Sequence, residues 1–354
     1  MLRIVSNYTT QSRRERQQRI NNSRNFRHNR FQNLIPTDTY IKGTNFFSLI
    51  YLYLKKHQSR KPAYPILRVR EDLATHGHHD PEITWFGHSS YLISVNGRHV
   101  LVDPVFSNNL FFFPLLRIRE FAGTDSINID DLPSIDVVII THDHQDHLDL
   151  NTIKRLAKSG PSFYMPLGVG AYLERLKIPP GRIIELDWWE KAVHSPEIKL
   201  TATPARHNSG RGLTNNKTLW ASFVLEIHGY KIFVGGDSGY ANHFKEIGKQ
   251  FGSFDLAALE CGQYGNNWPD IHMSPEQMAM AAADLKSKIL LPVHWGRFSL
   301  ALHPWQEPIL RLEKALQYTV IKILHPVIGK RTPISGQLPT NKWWLQADQS
   351  KQAL

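Results

Sequence analysis

One seven-residue run constrains this chain more than any other feature: Thr141-His-Asp-His-Gln-Asp-His147. It follows directly on Asp136-Val-Val-Ile-Ile140, whose continuous β-branched character reads as a strand buried on both faces. Three histidines and two aspartates set just after a core strand are costly to desolvate unless something compensates them, so an ordinary solvated loop is a poor account. His142 and His144 stand two apart, and an extended segment points them the same way. Asp146 and His147 turn the other way as the chain bends into a helix expected from Asp149 to Lys158 and closed by Gly160. One short loop can thus serve two adjacent metals. Neutral imidazoles with a carboxylate are what Zn²⁺ takes where cysteine is lacking.

Two zincs need more ligands than these four side chains. The sequence offers three more at the same kind of position, a loop after a strand. His207 follows a strand expected over Glu197 to Ala205, Asp237 follows Phe233-Val-Gly-Gly236, and His294 follows the strand Ile289 to Val293. Each alone has an ordinary reading as a surface His, a turn Asp or a strand-end His. Their shared placement, where α/β sheets build sites, groups them with the first cluster. The grouping requires all three within about 10 Å of the 142–147 turn, because zinc bonds reach only about 2 Å.

The frame around these residues is legible as well. Tyr91 to Val95, Asn96-Gly97 and Arg98 to Val102 form a hairpin signal, since Asn-Gly supplies the positive φ angles of a type I′ turn. Ser222 to Val234 repeats that design, and both hairpins lead to an aspartate, Asp103 and Asp237. The repetition points to two β-rich halves whose sheets face each other. Asp255 to Glu260 reads as a further strand, and Ser274-Pro-Glu-Gln277 opens a helix with a capping box and Pro in the first turn. The fold class is mixed α/β (α+β), with helices covering sheets from outside.

With 354 residues the chain can bury a substantial core, and no linker interrupts it after residue 80. We therefore expect one domain over 81–335 and a C-terminal tail over 336–354. The net charge of +11 is uneven: Arg3, Arg13, Arg14, Arg16, Arg19, Arg24, Arg27 and Arg30 face only Glu15 in the opening stretch. Residues 1–40 are accordingly expected to form a flexible basic arm. An N-terminal extension over 41–80 contains the apolar run Asn45 to Lys56, readable as a packed helix or an interfacial anchor. The opening lacks the apolar core of a secretory signal, and no run reaches the roughly 18 apolar residues of a membrane span. The single cysteine, Cys261, excludes an intramolecular disulfide and reads as a small buried side chain. These features set the expectation of a cytoplasmic protein, soluble or peripherally membrane-associated.

The pattern His-x-His-x-Asp-His, followed by a distant His, Asp and His, resembles the metallo-β-lactamase superfamily. That resemblance implies a four-layer αββα sandwich with two zinc ions at one edge. It assigns His142, His144 and His207 to one zinc and Asp146, His147 and His294 to the other, with Asp237 bridging. The words Trp85-Phe-Gly-His-Ser-Ser90, Asp103-Pro-Val-Phe-Ser107, Pro204-Ala-Arg-His207, Leu219-Trp-Ala-Ser222, Gly236-Asp-Ser-Gly-Tyr240, Ile271-His-Met-Ser-Pro-Glu276 and Val293-His-Trp-Gly296 resemble a narrower family. This is the family of phospholipases D that hydrolyse N-acyl-phosphatidylethanolamine, and the similarity runs from about residue 83 to 310.

The resemblance implies a zinc-dependent phosphodiesterase releasing phosphatidic acid and an N-acylethanolamine. Two zincs a few Å apart can hold a bridging hydroxide, lowering the pKa of water from 15.7 to about 7. No nucleophilic side chain is then needed. The redox, iron-binding branch of the superfamily carries Glu where this chain has His144, which favours hydrolysis. Asp146, Asp103 and His272 are the expected catalytic residues, with Asp103 placed to accept the hydrogen bond of a metal-bound histidine's free N–H. Phe111, Phe112 and Phe113 in the apolar loop Leu110 to Leu116, together with His88 and Tyr264, are the expected substrate contacts. The expected partners are a phospholipid and an anionic membrane surface, met by basic and apolar groups together. A homodimer stays open.

Three rival functions are separable. A metallo-hydrolase of a soluble lactone or phosphorylated sugar would ignore phospholipid vesicles. A nuclease is disfavoured because the basic excess sits in one terminal stretch and no RNA-binding module is visible. A binding module without catalysis would leave a complete two-metal ligand set unexplained.

Overall fold

Side-chain alternation organises the strands of this chain into two cores. In the hairpin Tyr91–Val95/Arg98–Val102, Tyr91, Ile93, Val95, Val100 and Val102 enter one cluster, whereas Leu92 and Leu101 enter another. Val137 and Ile139 likewise part from Val138 and Ile140. A strand buried on both faces needs a layer on each side, and the computed structural model supplies them. It describes residues 3–4, 13–45, 51–53, 55, 58–74, 80–113, 116–125, 128–212 and 215–349.

A seven-stranded sheet runs in the order Ile183–Leu186, Ser162–Pro166, Val137–Ile139, Arg98–Val102, Tyr91–Val95, Glu82–Trp85, Arg331–Pro333. An eight-stranded sheet runs Arg3–Ile4, Glu190–Val193, Ile198–Thr203, Ser222–Ile227, Tyr230–Val234, Phe254–Glu260, Ser287–Val293, Lys322–Ile323. Helices Leu150–Leu156 and Gly170–Arg175 cover the first sheet through Ile153, Leu156 and Leu173. Helices His243–Phe251, Pro275–Asp284 and Glu307–Leu316 cover the second through Phe244, Ile247, Met278, Ile309 and Leu312. This is the expected αββα sandwich. The two hairpins fall in opposite sheets, and both turn on left-handed residue pairs: Asn96-Gly97 (φ 47° and 74°) and His228-Gly229 (φ 47° and 85°). Ser274 and Gln277 form the capping box that their spacing predicts.

Two expectations about the ends need correction. Residues 13–40 do not form a detached arm. Arg13–Asn22 is a helix whose Arg16, itself buried, donates to Glu185 and Glu174, while Phe31 is fully buried. Two of the arginines that suggested disorder find carboxylates on the folded domain, Arg16 at Glu174 and Glu185 and Arg19 at Glu190. Nor do residues 343–349 of the expected C-terminal tail stand apart from the domain. Trp343 and Trp344, at the start of helix Trp343–Gln349, pack in the main core, Trp343 stacking 5.5 Å from Trp295. Of the apolar run Asn45 to Lys56, residues 46–50, 54 and 56 lie outside the described residues; Tyr53 donates its hydroxyl to the carbonyl of Ser299. Among the described residues no helix is long and apolar enough to cross a membrane.

Candidate metal centre

Parallel strands end at a common edge, and this geometry delivers the polar residues of the chain to one place. Val137–Ile139 leads to the 142–147 loop, Tyr230–Val234 to Asp237, and Ser287–Val293 to His294. Ile198–Thr203, two antiparallel steps from Tyr230–Val234, runs toward the same edge and leads to His207. The sheets touch there. Gly236 has φ 61°, and a Cβ on it would lie 2.8 Å from that of Thr141, so only glycine lets Asp237 approach the loop. Asp103, His88 and His294 also adopt positive φ (39°, 52° and 66°). Such strain in non-glycine residues costs on the order of 1–3 kcal/mol each and collects at functional sites.

All seven expected metal ligands converge. His142 Nε2 lies 2.9 Å from His144 Nδ1, which lies 3.3 Å from His207 Nε2. Asp237 Oδ2 stands 3.2 Å from His147 Nε2, 3.3 Å from His294 Nε2, 3.8 Å from His207 Nε2 and 3.9 Å from His142 Nε2. His142, His144, His207 and Asp237 form one group of candidate ligand atoms within 4.8 Å of one another; His88, Asp146, His147 and His294 form a second. Neighbouring ligands of a tetrahedral zinc with bonds near 2.0–2.1 Å stand about 3.3 Å apart, close to these separations. Asp237 Oδ2 lies between the two groups, where a bridging oxygen belongs.

The opposite ring nitrogens are tied down from behind. His147 Nδ1 donates to Asp103 Oδ2 (2.8 Å), His207 Nδ1 to the Ile271 carbonyl (2.9 Å), and His294 Nδ1 faces Ser89 Oγ (2.9 Å). Thr141 donates its hydroxyl and its amide to Asp103, and its oxygen accepts from His142 Nδ1 at 3.0 Å. Such partners fix the ring so that Nε2 faces the centre. Asp103 is fully buried behind the His147 ring and cannot reach a reacting atom, so its expected catalytic role is corrected to a positioning one.

The donor set fits divalent cations. His147 Nε2 and Asp237 Oδ1 are buried without a hydrogen-bond partner among the described residues, which is expensive unless an ion takes them up. Although burial alone would raise it, the neighbouring His147 and His294 hold the Asp237 carboxyl well below its usual range. Burial alone would lower His147, but Asp237, Asp146 and Asp103 hold it well above its usual range.

His272 stands at the rim, half-buried, with Nδ1 bonded to Glu260 Oε2 at 2.6 Å and its ring parallel to His294 at 5.5 Å. Burial opposes its protonation, yet Glu260 and Asp237 push its pKa up to about 9. Glu260 is the residue that sequence reasoning missed. It ends the strand Phe254–Glu260, is fully buried, and accepts from the amides of Ser238 and Met273; burial, against the pull of His272, pushes its pKa up to about 7. The strand-end rule that located Asp237 and His294 applies to it equally.

Two of the five expected substrate contacts, His88 and Tyr264, stand elsewhere. His88 is fully buried, 3.0 Å from Asp146 Oδ2 and 4.2 Å from the His294 ring, so it braces a ligand and does not meet substrate. Tyr264 donates to Glu307 Oε1 and lies under Arg311, which commits its hydroxyl to a surface ion-pair network. Phe111, Phe112 and Phe113 fall in a β-hairpin, Asn109–Phe113 with Leu116–Arg119, and their side chains lie outside the described residues. Leu110 and Ile118 of that hairpin pack with Phe298, whose ring is 5.4 Å from His88.

Comparison with known proteins agrees with this geometry. Residues 98–295 match the Beta-lactamase superfamily domain. An uncharacterised protein of Mycobacterium tuberculosis is 37% identical over 327 residues, 91% of this chain and 87% of its own length. The mitochondrial N-acyl-phosphatidylethanolamine-hydrolysing phospholipase D of Saccharomyces cerevisiae is 36% identical over 261 residues, which span 70% of this chain and 54% of that protein. In structure, a metallo hydrolase from Ignicoccus hospitalis superposes with a TM-score of 0.56 at 21% identity, covering 73% of this chain and 99% of that one.

Proposed function

The chain belongs to the β-lactamase superfamily, and from that premise we propose that it is a two-zinc phosphodiesterase of phospholipase D type. Its substrate would be an N-acyl-phosphatidylethanolamine-like lipid, cleaved to phosphatidic acid and an N-acylethanolamine. The observation that carries the reading is the pair of adjacent ligand groups, Asp237 of one standing 3.2 Å and 3.3 Å from His147 and His294 of the other, in a chain 36% identical to a yeast enzyme of that activity. The coarser statement, a metal-dependent hydrolase, rests on the family itself.

Two cations held by these residues would polarise a phosphoryl oxygen and supply an ionised water near neutral pH. The protein's part is placement. Asp103 and Thr141 hold His147 and His142, His88 holds Asp146, and Ser89 holds His294. His272, oriented by Glu260, is the group that would keep a proton at the rim and give it to the departing ethanolamine oxygen. A lipid reading is supported by the exposed apolar side chains Leu34, Ile35, Tyr40, Ile41, Tyr51 and Leu52, with Lys42 and Lys55 among them. Apolar and basic groups together favour peripheral contact with an anionic bilayer.

The test is headgroup release from N-acyl-phosphatidylethanolamine vesicles, with metal analysis of wild type and Asp146→Asn. Wild type should carry two zinc ions and release the N-acylethanolamine. Asp146→Asn should bind one ion fewer and lose at least about 100-fold in kcat. Retained turnover with one ion fewer refutes the two-metal mechanism; turnover of soluble esters but not of vesicles moves the substrate to a lactone or sugar phosphate.

A further inference from the structure

Beyond the strand Ile198–Thr203 the chain leaves the sheet ladder, and the segment bearing His207 must be held by other means. The structure holds it from the N-terminal region, outside the matched superfamily domain. Asn33 Nδ2 donates to the His207 carbonyl (2.8 Å), and the His207 amide donates to Asn33 Oδ1 (3.1 Å). One side-chain amide thus takes both main-chain groups of His207, as a neighbouring strand would. The indole of Trp220 also donates to Asn33 Oδ1 (3.2 Å), so two donors and one acceptor fix which way the amide points. The flanking residues are gripped by the same segment. Arg206 donates to Thr37 Oγ1 (3.0 Å) and to the Pro36 carbonyl (3.3 Å), and Asn208 donates to Thr39 Oγ1 (3.1 Å). From the clamped main chain the His207 ring reaches 3.3 Å from His144 Nδ1, its own Nδ1 tied to Ile271.

We propose that Asn33 is a positioning residue of the metal centre, holding His207 in register with His142 and His144, and that residues 33–39 are part of that centre. The proposal rests on the two-metal reading above. Its test is a Zn²⁺ competition titration against a chromophoric chelator on the full chain, for wild type, Asn33→Ala and Asn33→Asp. The melting temperature of each metal-free protein and activity at limiting and excess Zn²⁺ complete the measurement.

Wild type should bind two ions. Asn33→Ala should keep one at wild-type affinity and bind the other about 10- to 100-fold more weakly, with the metal-free melting temperature little changed. Its kcat should be low at limiting Zn²⁺ and recover in excess. Asn33→Asp keeps the acceptor toward His207 and Trp220 but loses the donor, so it should fall between the two. It decides the matter by the same criterion if the alanine variant does not fold. Both ions binding within twofold of wild type overturns the proposal, as does an equal loss at both sites together with a fall in melting temperature. A wild-type chain that binds two ions yet hydrolyses no phospholipid sinks the substrate reading alone; one that binds fewer than two sinks both.

Discussion

Glu260 carries no exposed surface and accepts from the amides of Ser238 and Met273, and at the metal centre its side chain pairs with His272. A carboxylate so placed orients an imidazole and favours its protonated form. Glu260→Gln preserves shape and removes charge, so kcat should fall about 10- to 100-fold while zinc content stays at the wild-type level. Metal analysis alongside steady-state kinetics checks this. A lost ion would instead make Glu260 a ligand, for it lies within 4.8 Å of Asp237, His272 and His294 as those ligand atoms are grouped.

The helix Arg13–Asn22 shows how an element with almost no apolar side chains is kept in place. Arg16 is 7% exposed at its side chain and Glu185 3%, and Glu185 also accepts from the amides of Gly168 and Gly170. Arg16→Ala would leave that carboxylate buried with no cation. Urea unfolding should show a loss of about 3–5 kcal/mol, little affected by moderate salt because the pair is buried. Adding Glu185→Gln should recover part of the loss by removing the stranded charge. Trimming the first 30 residues is therefore a structural perturbation, not the removal of a detachable charge.

For the whole molecule, acid stability should depend on buried histidines that are not among the expected metal ligands. His325 has a side chain 9% exposed, packed 4.8 Å from the Trp344 ring, with Glu313 at 3.8 Å and Lys342 nearby. Burial and then Lys342 push its pKa from 6.5 down to about 4, and burial with Arg206 pushes His243 down to about 3. The folded-state pKa is lowered, so the unfolded chain takes the proton first. Stability should hold above pH 6.5 and fall as pH drops toward 4, below which the His325 contribution levels off. His325→Gln should remove on the order of 2–3 kcal/mol of that fall. The wild-type-minus-variant difference in unfolding free energy across pH 4 to 8 measures it, since the metal ligands contribute equally to both. A pH-independent difference would refute the assignment.

The sequence alone determined what is local. The β-branched run at 136–140, the Asn96-Gly97 turn and the Ser274 capping box each rest on contacts within a few residues, and each is present in the fold. The strand-end rule even gathered His207, Asp237 and His294, because parallel strands end at a common edge. What only the tertiary structure decided is long-range. A row of arginines reads as a solvated arm until Glu174, Glu185 and Glu190, some 160 residues away, come to meet it. His88 reads as a substrate contact until Asp146 and His294 close around it, and Asn33 has no meaning until it lies beside His207. Charge and hydrogen-bonding capacity are written in the sequence, but which partner satisfies them depends on distances that only the folded chain sets.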